Sequence, residues 1–172
     1  MKSEHKTVIV TGAAGFVGAN LVLELLKDRP PLNIIGVDNL SDYYDVSLKE
    51  YRLDCIKKSA ESHPDASWQF VRGSIADKSL IEKLFADHQP DVVVNLAAQA
   101  GVRYSITNPD AYIEANLIGF YNILEACRHS YANGAEGVRH LVYASSSSVY
   151  GCNEKVPYST EDKVDNPISL YA

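Results

Sequence analysis

Three glycines three positions apart, Gly12, Gly15 and Gly18, fall within the stretch VIVTGAAGFVGANL. A short β-branched run precedes them and an amphipathic run follows, so they lie where a strand hands over to a helix. That setting suits a diphosphate. Gly12 permits the tight turn, Gly15 lets backbone approach an anion, and Gly18 lets the helix pack close to the sheet. Free N–H groups at the helix start then face the anion, and Phe16 and Val17, which open that helix, join the cofactor-binding set. Twenty residues past Gly18 comes Asp38, followed by Asn39, at the end of a second apolar run. A carboxylate there accepts hydrogen bonds from both hydroxyls of an adenosine ribose and repels a 2′-phosphate, which favours NAD over NADP. A glycine-rich turn with an N-capping aspartate is the competing reading. Strand, loop, helix and acid in this order favour the dinucleotide site.

The elements that must position these residues follow from periodicity. Short apolar runs at 7–10, 33–37, 68–71, 91–96 and 138–144 lack strict alternation, as strands covered on both faces do. Between them lie predicted helices. The first, 15–27, carries Val17, Leu21, Leu25 and Leu26 on one face. Another, 79–87, carries Leu80, Ile81, Leu84 and Phe85. The longest, 109–130, carries Ile113, Leu117, Phe120, Ile123, Leu124 and Cys127. The long connection 38–67 contains SLKEYRLDCIKKSAES, where Leu48, Tyr51 and Cys55 recur at helical spacing among charges; it reads as the crossover helix to strand three, then a surface loop. Strands alternating with helices predict an α/β fold, a doubly wound parallel sheet of the Rossmann kind.

With 172 residues, 46% of them hydrophobic and 22% charged, one domain with a sizeable core is expected. A net charge of −6 offers no basic footprint for nucleic acid or an anionic membrane. Cys55, Cys127 and Cys152 have no CxxC spacing, so reduced structural thiols, a cytoplasmic location and no metal are expected. The charged N-terminus leaves no room for a signal-peptide core, and no stretch is long enough to span a bilayer.

With the glycine spacing, NLAAQAGVRYS, NLIGFYNILEACR and SSSSVYG make the chain resemble the extended short-chain dehydrogenase/reductase family, and within it the nucleotide-sugar epimerases. VDNLSDYYDVSLKEYRL and LAAQAGVRYSITNPDAYIEANLIGFYNILEACR are most similar to bacterial UDP-glucuronate 4-epimerases. The resemblance runs over 7–172. It implies that a sugar C4 hydroxyl loses its proton while the C4 hydride moves to NAD, that the 4-keto sugar turns over, and that the hydride returns to the opposite face. The family's base is the Tyr of a Tyr-x-x-x-Lys pair. Free Tyr has a pKa of about 10, so it stays protonated near neutrality and acts poorly as a base there. A Lys one helical turn on lowers that pKa.

By this resemblance Tyr171 matches the base, Ser146 the residue that hydrogen-bonds the reacting oxygen, and Ser145 a neighbour of the nicotinamide. Leu96, Ala97 and Ala98 are expected to line the cofactor, and Asn116 to be the structural amide that orders the site. Arg103 and Ser105 fall where a loop faces the nucleotide sugar, and Tyr43 and Tyr44 either border the adenosine pocket or cover the crossover. Gly73-Ser74-Ile75 stands where relatives often carry Gly-Asp-Ile, so Ser74 and Ile75 take the place near adenine; Asn95 stands where they often carry His. Sugar 4,6-dehydratases carry Asp-Glu just before Val-Tyr-Gly, where this chain has Ser147-Ser148.

The family's Lys falls at position 175. The expectation is therefore an NAD-binding domain over 1–172 without the later strands and the C-terminal substrate region, able to bind NAD and not to turn over. The full-length protein is expected to take a UDP-sugar and to form a homodimer through the 109–130 helix and the next. UDP-glucose or UDP-N-acetylglucosamine is the alternative substrate, and a non-catalytic dinucleotide-binding module the alternative of another class. SSSSVYG with Tyr171 favours the enzyme.

Overall fold

Strand β1 (Lys6–Thr11) sends alternate side chains into two different apolar layers, and this sets the architecture. Val8 and Val10 enter one layer with Ala19, Val22 and Leu26; Ile9 enters the other with Ile81, Leu84 and Ile123. The computed structural model describes residues 5–28, 31–132 and 135–172. Helices α1 (Phe16–Asp28) and α2 (Val46–Glu61) cover one face. On the other lie α3 (Lys78–His88) and the long helical stretch that begins at Pro109. Strands β2 (Leu32–Asp38), β3 (Ala66–Arg72), β4 (Val92–Asn95) and β5 (His140–Tyr143) complete a parallel sheet in the order β3-β2-β1-β4-β5. This is the expected doubly wound fold. The chain leaves β1 toward β2 on one side and reaches β4 on the other, so a crevice opens at the carboxyl ends of β1 and β4, where such folds bind ligands.

Local chemistry starts the helices. Asp45 caps α2 by accepting from the Ser47 N–H, and Asp77 caps α3 by accepting from Leu80. Hydrogen bonding, from Ser47 and Ser79 respectively, holds both carboxyls below their ordinary range. Gly36 in β2 has no room for a side chain, because the Trp68 ring and the Ala13 methyl lie against it.

Three expectations are corrected in detail. The face of α2 that packs on the sheet carries Lys49 and Ile56, while Leu48 and Tyr51 are exposed. In α1 the inward residues are Ala19, Val22 and Leu26, and Val17 is exposed, since small residues must meet the phosphate loop. The long helix is composite: α4 (Tyr104–Thr107) precedes α5 (Pro109–Tyr112), a π-helical stretch Ile113–Gly119 follows, and α6 (Phe120–His129) ends it. The widened turn brings the bare backbone of Gly119 against Ile75 and points Asn116 at the loop after β4.

Asn122, buried in α6, donates through Nδ2 to the carbonyls of Ile75 and Ala76, each at 3.0 Å. Asn122→Ala orphans both carbonyls and is expected to cost about 2 kcal/mol, read as a shifted urea midpoint at unchanged slope. Ile113, Leu117, Ile118, Tyr121 and Leu124 form an exposed apolar strip on the same helical stretch, and β5 lies at a sheet edge with Val142 and Tyr143 exposed. Burial pushes the Cys127 thiol up to about 11, which disfavours its thiolate. No helix among the described residues is long and apolar enough to cross a membrane.

Candidate active site

The turn after β1 is built around Gly12. Its φ is +67°, and a Cβ there would lie 2.8 Å from Ala97 N, so the loop runs directly against the end of β4. The Gly15 N–H donates to the Gly12 carbonyl and the Ala19 N–H to Gly15, which starts α1. A Cβ on Gly18 would lie 2.2 Å from the Gly12 oxygen, so α1 can approach β1 only with glycine there. Thr11 then ties the two strand ends together. Its Oγ1 donates to Asn95 Oδ1 at 2.6 Å and accepts from the Ala97 N–H at 3.1 Å. Asn95, the departure from the family's His, thus fixes the β4 terminus.

Asp38 is 7% exposed at the end of β2. Its Oδ2 accepts from the Ala14 N–H at 3.1 Å and its Oδ1 from the Leu40 N–H at 2.9 Å. Two backbone donors therefore aim the carboxylate and leave lone pairs for hydroxyl donors from the cleft. Gly12, Gly15, Asp38, Asn39, Ser74, Ile75, Leu96, Ala97 and Ala98 line one cleft, and Tyr43 and Tyr44 also lie on its wall. Ser74 Oγ accepts from the Ala76 N–H and shapes the turn after β3. Bare backbone at Gly12 and Gly15, a helix start beyond it and an oriented buried carboxylate fit an adenosine diphosphate.

The other residues singled out from the sequence stand around this cleft. Phe16 and Val17 are exposed on the first turn of α1. Asn116 makes a reciprocal amide pair with the backbone of Gln99, Oδ1 accepting from its N–H and Nδ2 donating to its carbonyl, both at 2.9 Å. Arg103 is exposed, whereas Ser105 is buried and donates to the Val102 carbonyl at 2.6 Å. Ser145 is exposed just after β5. Ser146 opens a 3-10 turn (Ser147–Tyr150), its Oγ accepting from the Ser148 N–H at 3.2 Å. Tyr171 packs edge-on against Tyr112, ring centroids 5.8 Å apart. Residues 168–172 are not helical, yet the Ala172 N–H already donates to Ser169 Oγ at 3.0 Å, the bond an N-cap serine makes.

Sequence reasoning missed Lys49, Gln99 and Tyr112. Lys49 looked like one charge among many on a surface helix. Tyr112, 2% exposed, donates to the carbonyls of Ala100 and Gly101 and so holds the loop after β4. Burial raises its pKa, so it stays a neutral donor.

Residues 9–172 match the sequence family described as GDP-mannose 4,6 dehydratase. The chain is 48% identical over 165 residues to Protein CapI of Staphylococcus aureus, covering 96% of this chain and 45% of that protein. It is 48% identical over 166 residues to UDP-glucuronate 4-epimerase 4 of Arabidopsis thaliana, covering 96% of this chain and 35% of that one. The solved structure of UDP-glucose 4-epimerase from Bifidobacterium longum, in complex with NAD+ and UDP, superposes with a TM-score of 0.74 at 25% identity, over 96% of this chain and 44% of that one. The chain thus spans between a third and a half of the length of these relatives. Family match and doubly wound sheet together make the chain a member of the NAD-dependent epimerase/dehydratase family, the extended short-chain dehydrogenases/reductases.

Proposed function

We propose that this chain is the NAD-binding part of a cytoplasmic nucleotide-sugar 4-epimerase that interconverts UDP-glucuronate and UDP-galacturonate. The observation that carries the reaction type is the 3-10 turn after β5. It presents Ser147 and Ser148 beside Ser146, hydroxyls that cannot serve as the acid and base of a 4,6-elimination. Chemistry confined to C4 remains. The 48% identity to a plant UDP-glucuronate 4-epimerase supports the substrate, and the three free cysteines support the location.

When bound, NAD accepts the C4 hydride and returns it. The chain's residues do the rest. The Gly12–Gly18 turn holds the diphosphate, Asp38 accepts the ribose hydroxyls, and Leu96–Ala98 leave room for the ring system. Ser146 donates to or accepts from the C4 oxygen, and Tyr171 takes its proton. Arg103 and Ser105 belong to the loop on the sugar-nucleotide side. Tyr171 acts as a base only with a cation one helical turn beyond it, and that position lies outside the 172 residues. The 172-residue polypeptide alone therefore binds NAD without epimerising. In the full-length protein the exposed strip Ile113, Leu117, Ile118, Tyr121 and Leu124 is covered by a second copy, giving a homodimer.

Two experiments test this. Calorimetry of the 172-residue polypeptide is expected to show NAD binding that weakens at least about tenfold in Asp38→Ala; equal affinity in the two would remove the site. The full-length protein, offered UDP-glucuronate, UDP-glucose and UDP-N-acetylglucosamine, is expected to turn over the uronate fastest. A preference for either neutral sugar overturns the substrate, and 4,6-dehydration of any of them overturns the reaction.

A further inference from the structure

Asp38 is not the only charge at the ribose end of the cleft. Lys49 lines it too, and among the described residues it is the only buried cationic side chain, 5% exposed. Its Nζ donates to Ser41 Oγ at 3.1 Å, stands 3.8 Å from Asp38 Oδ1 and lies 4.9 Å from the centre of the Tyr44 ring. Burying an ammonium costs several kcal/mol unless it is compensated, so its place requires a reason. Holding Asp38 is not that reason, because the Ala14 and Leu40 N–H groups already do so. Ser41 takes one of the three ammonium donors, and the 3.8 Å approach to Asp38 is an ion pair without a hydrogen bond.

We infer that Lys49 is the second ribose-recognition residue and, with Asp38, sets the discrimination between NAD and NADP. Asp38 accepts from the ribose hydroxyls and Lys49 donates to an oxygen of the same diol. With both charges present the subsite is close to neutral, and the carboxylate turns a 2′-phosphate away. Without the carboxylate charge, Lys49 faces the 2′-position as an uncompensated cation. Arg52 stands behind it, its Nη1 donating to the Ala14 carbonyl at 3.2 Å and the Tyr44 hydroxyl at 2.9 Å. The other charged groups on the lining are Asp42 and Glu114, both exposed, where water screens them. The subsite thus holds a latent 2′-phosphate site that Asp38 keeps closed.

This rests on the NAD binding proposed above. The test is fluorescence titration with NADH and with NADPH of the wild-type chain, Asp38→Asn, Lys49→Met and the double variant, each checked for folding by circular dichroism. Wild type is expected to favour NADH. Lys49→Met is expected to lose about tenfold in NADH affinity, the size of one charge-assisted hydrogen bond. Asp38→Asn is expected to raise the NADPH to NADH affinity ratio about a hundredfold, since repulsion is exchanged for an ion-paired phosphate. The double variant is expected to lose most of that gain. Should Lys49→Met not fold, Lys49→Gln is the second variant, with the same expectation. A double variant that keeps the full NADPH gain overturns the inference, as does unchanged NADH affinity when the lysine charge is removed. Wild-type chain that binds no NADH overturns both this inference and the proposed cofactor. Binding with ratios indifferent to Lys49 overturns the inference alone.

Discussion

Tyr171→Phe in the full-length protein is expected to lower kcat about a thousandfold, the middle of the range for a lost general base, while NAD affinity stays within about twofold. The substitution is informative because of where Tyr171 packs. Its ring meets Tyr112 edge-on at 5.8 Å, and Phe keeps that ring contact while removing only the hydroxyl. A fall in kcat with cofactor binding intact is then a chemical loss, not a packing loss. Steady-state kinetics on the UDP-sugar and calorimetry with NAD separate the two. A variant within tenfold of wild type would assign the proton to another group.

Gly18→Ala is expected to destabilise the chain by about 3 kcal/mol, near the upper end of overpacking costs, and so to lower Tm by about 10 °C. The new methyl would sit 2.2 Å from the Gly12 oxygen, 2.9 Å from the Gly12 carbonyl carbon and 3.0 Å from Ala13 Cα. All three are backbone, so no side-chain rotation relieves the clash, and α1 must back away from the loop that it supports. NAD binding is expected to fall more than a hundredfold with it, because the loop and the helix start would no longer share one anion. Gly15→Ala is the control. Its Cβ would lie 3.0 Å from the Gly12 oxygen and touch little else, so thermal melts should place it close to wild type. Equal melting temperatures for both variants would contradict the packing argument.

Most of the fold was legible because parallel strands buried on both faces leave uninterrupted β-branched runs, and all five expected strands lie within about two residues of the observed ones. The glycine turn and Asp38 were legible for a related reason: backbone geometry there tolerates few residue types. The orientation of α2 was not. Apolar spacing points to Leu48, Tyr51 and Cys55, but the inward position is held by Lys49, whose burial depends on Asp38 eleven residues earlier and on Ser41. No helical periodicity encodes such a pairing. The π-helical stretch was hidden likewise, because it follows from Gly119 meeting Ile75 and Asn116 meeting Gln99, contacts made across the chain. The placement of Ser146 and Tyr171 came from family resemblance, since a serine run and one tyrosine carry no spacing signal of their own.

The Trp68 ring and the Ala13 methyl both crowd the point where a side chain at Gly36 would lie, and Trp68 packs against the apolar cluster that holds Ala13, the residue after Gly12 in the phosphate turn. Trp68 is the chain's single tryptophan. Its tryptophan emission therefore comes from one indole packed against the apolar layer that includes Ala13. The protein carries a built-in optical gauge of loop order, readable without a label and independent of whether any sugar is converted.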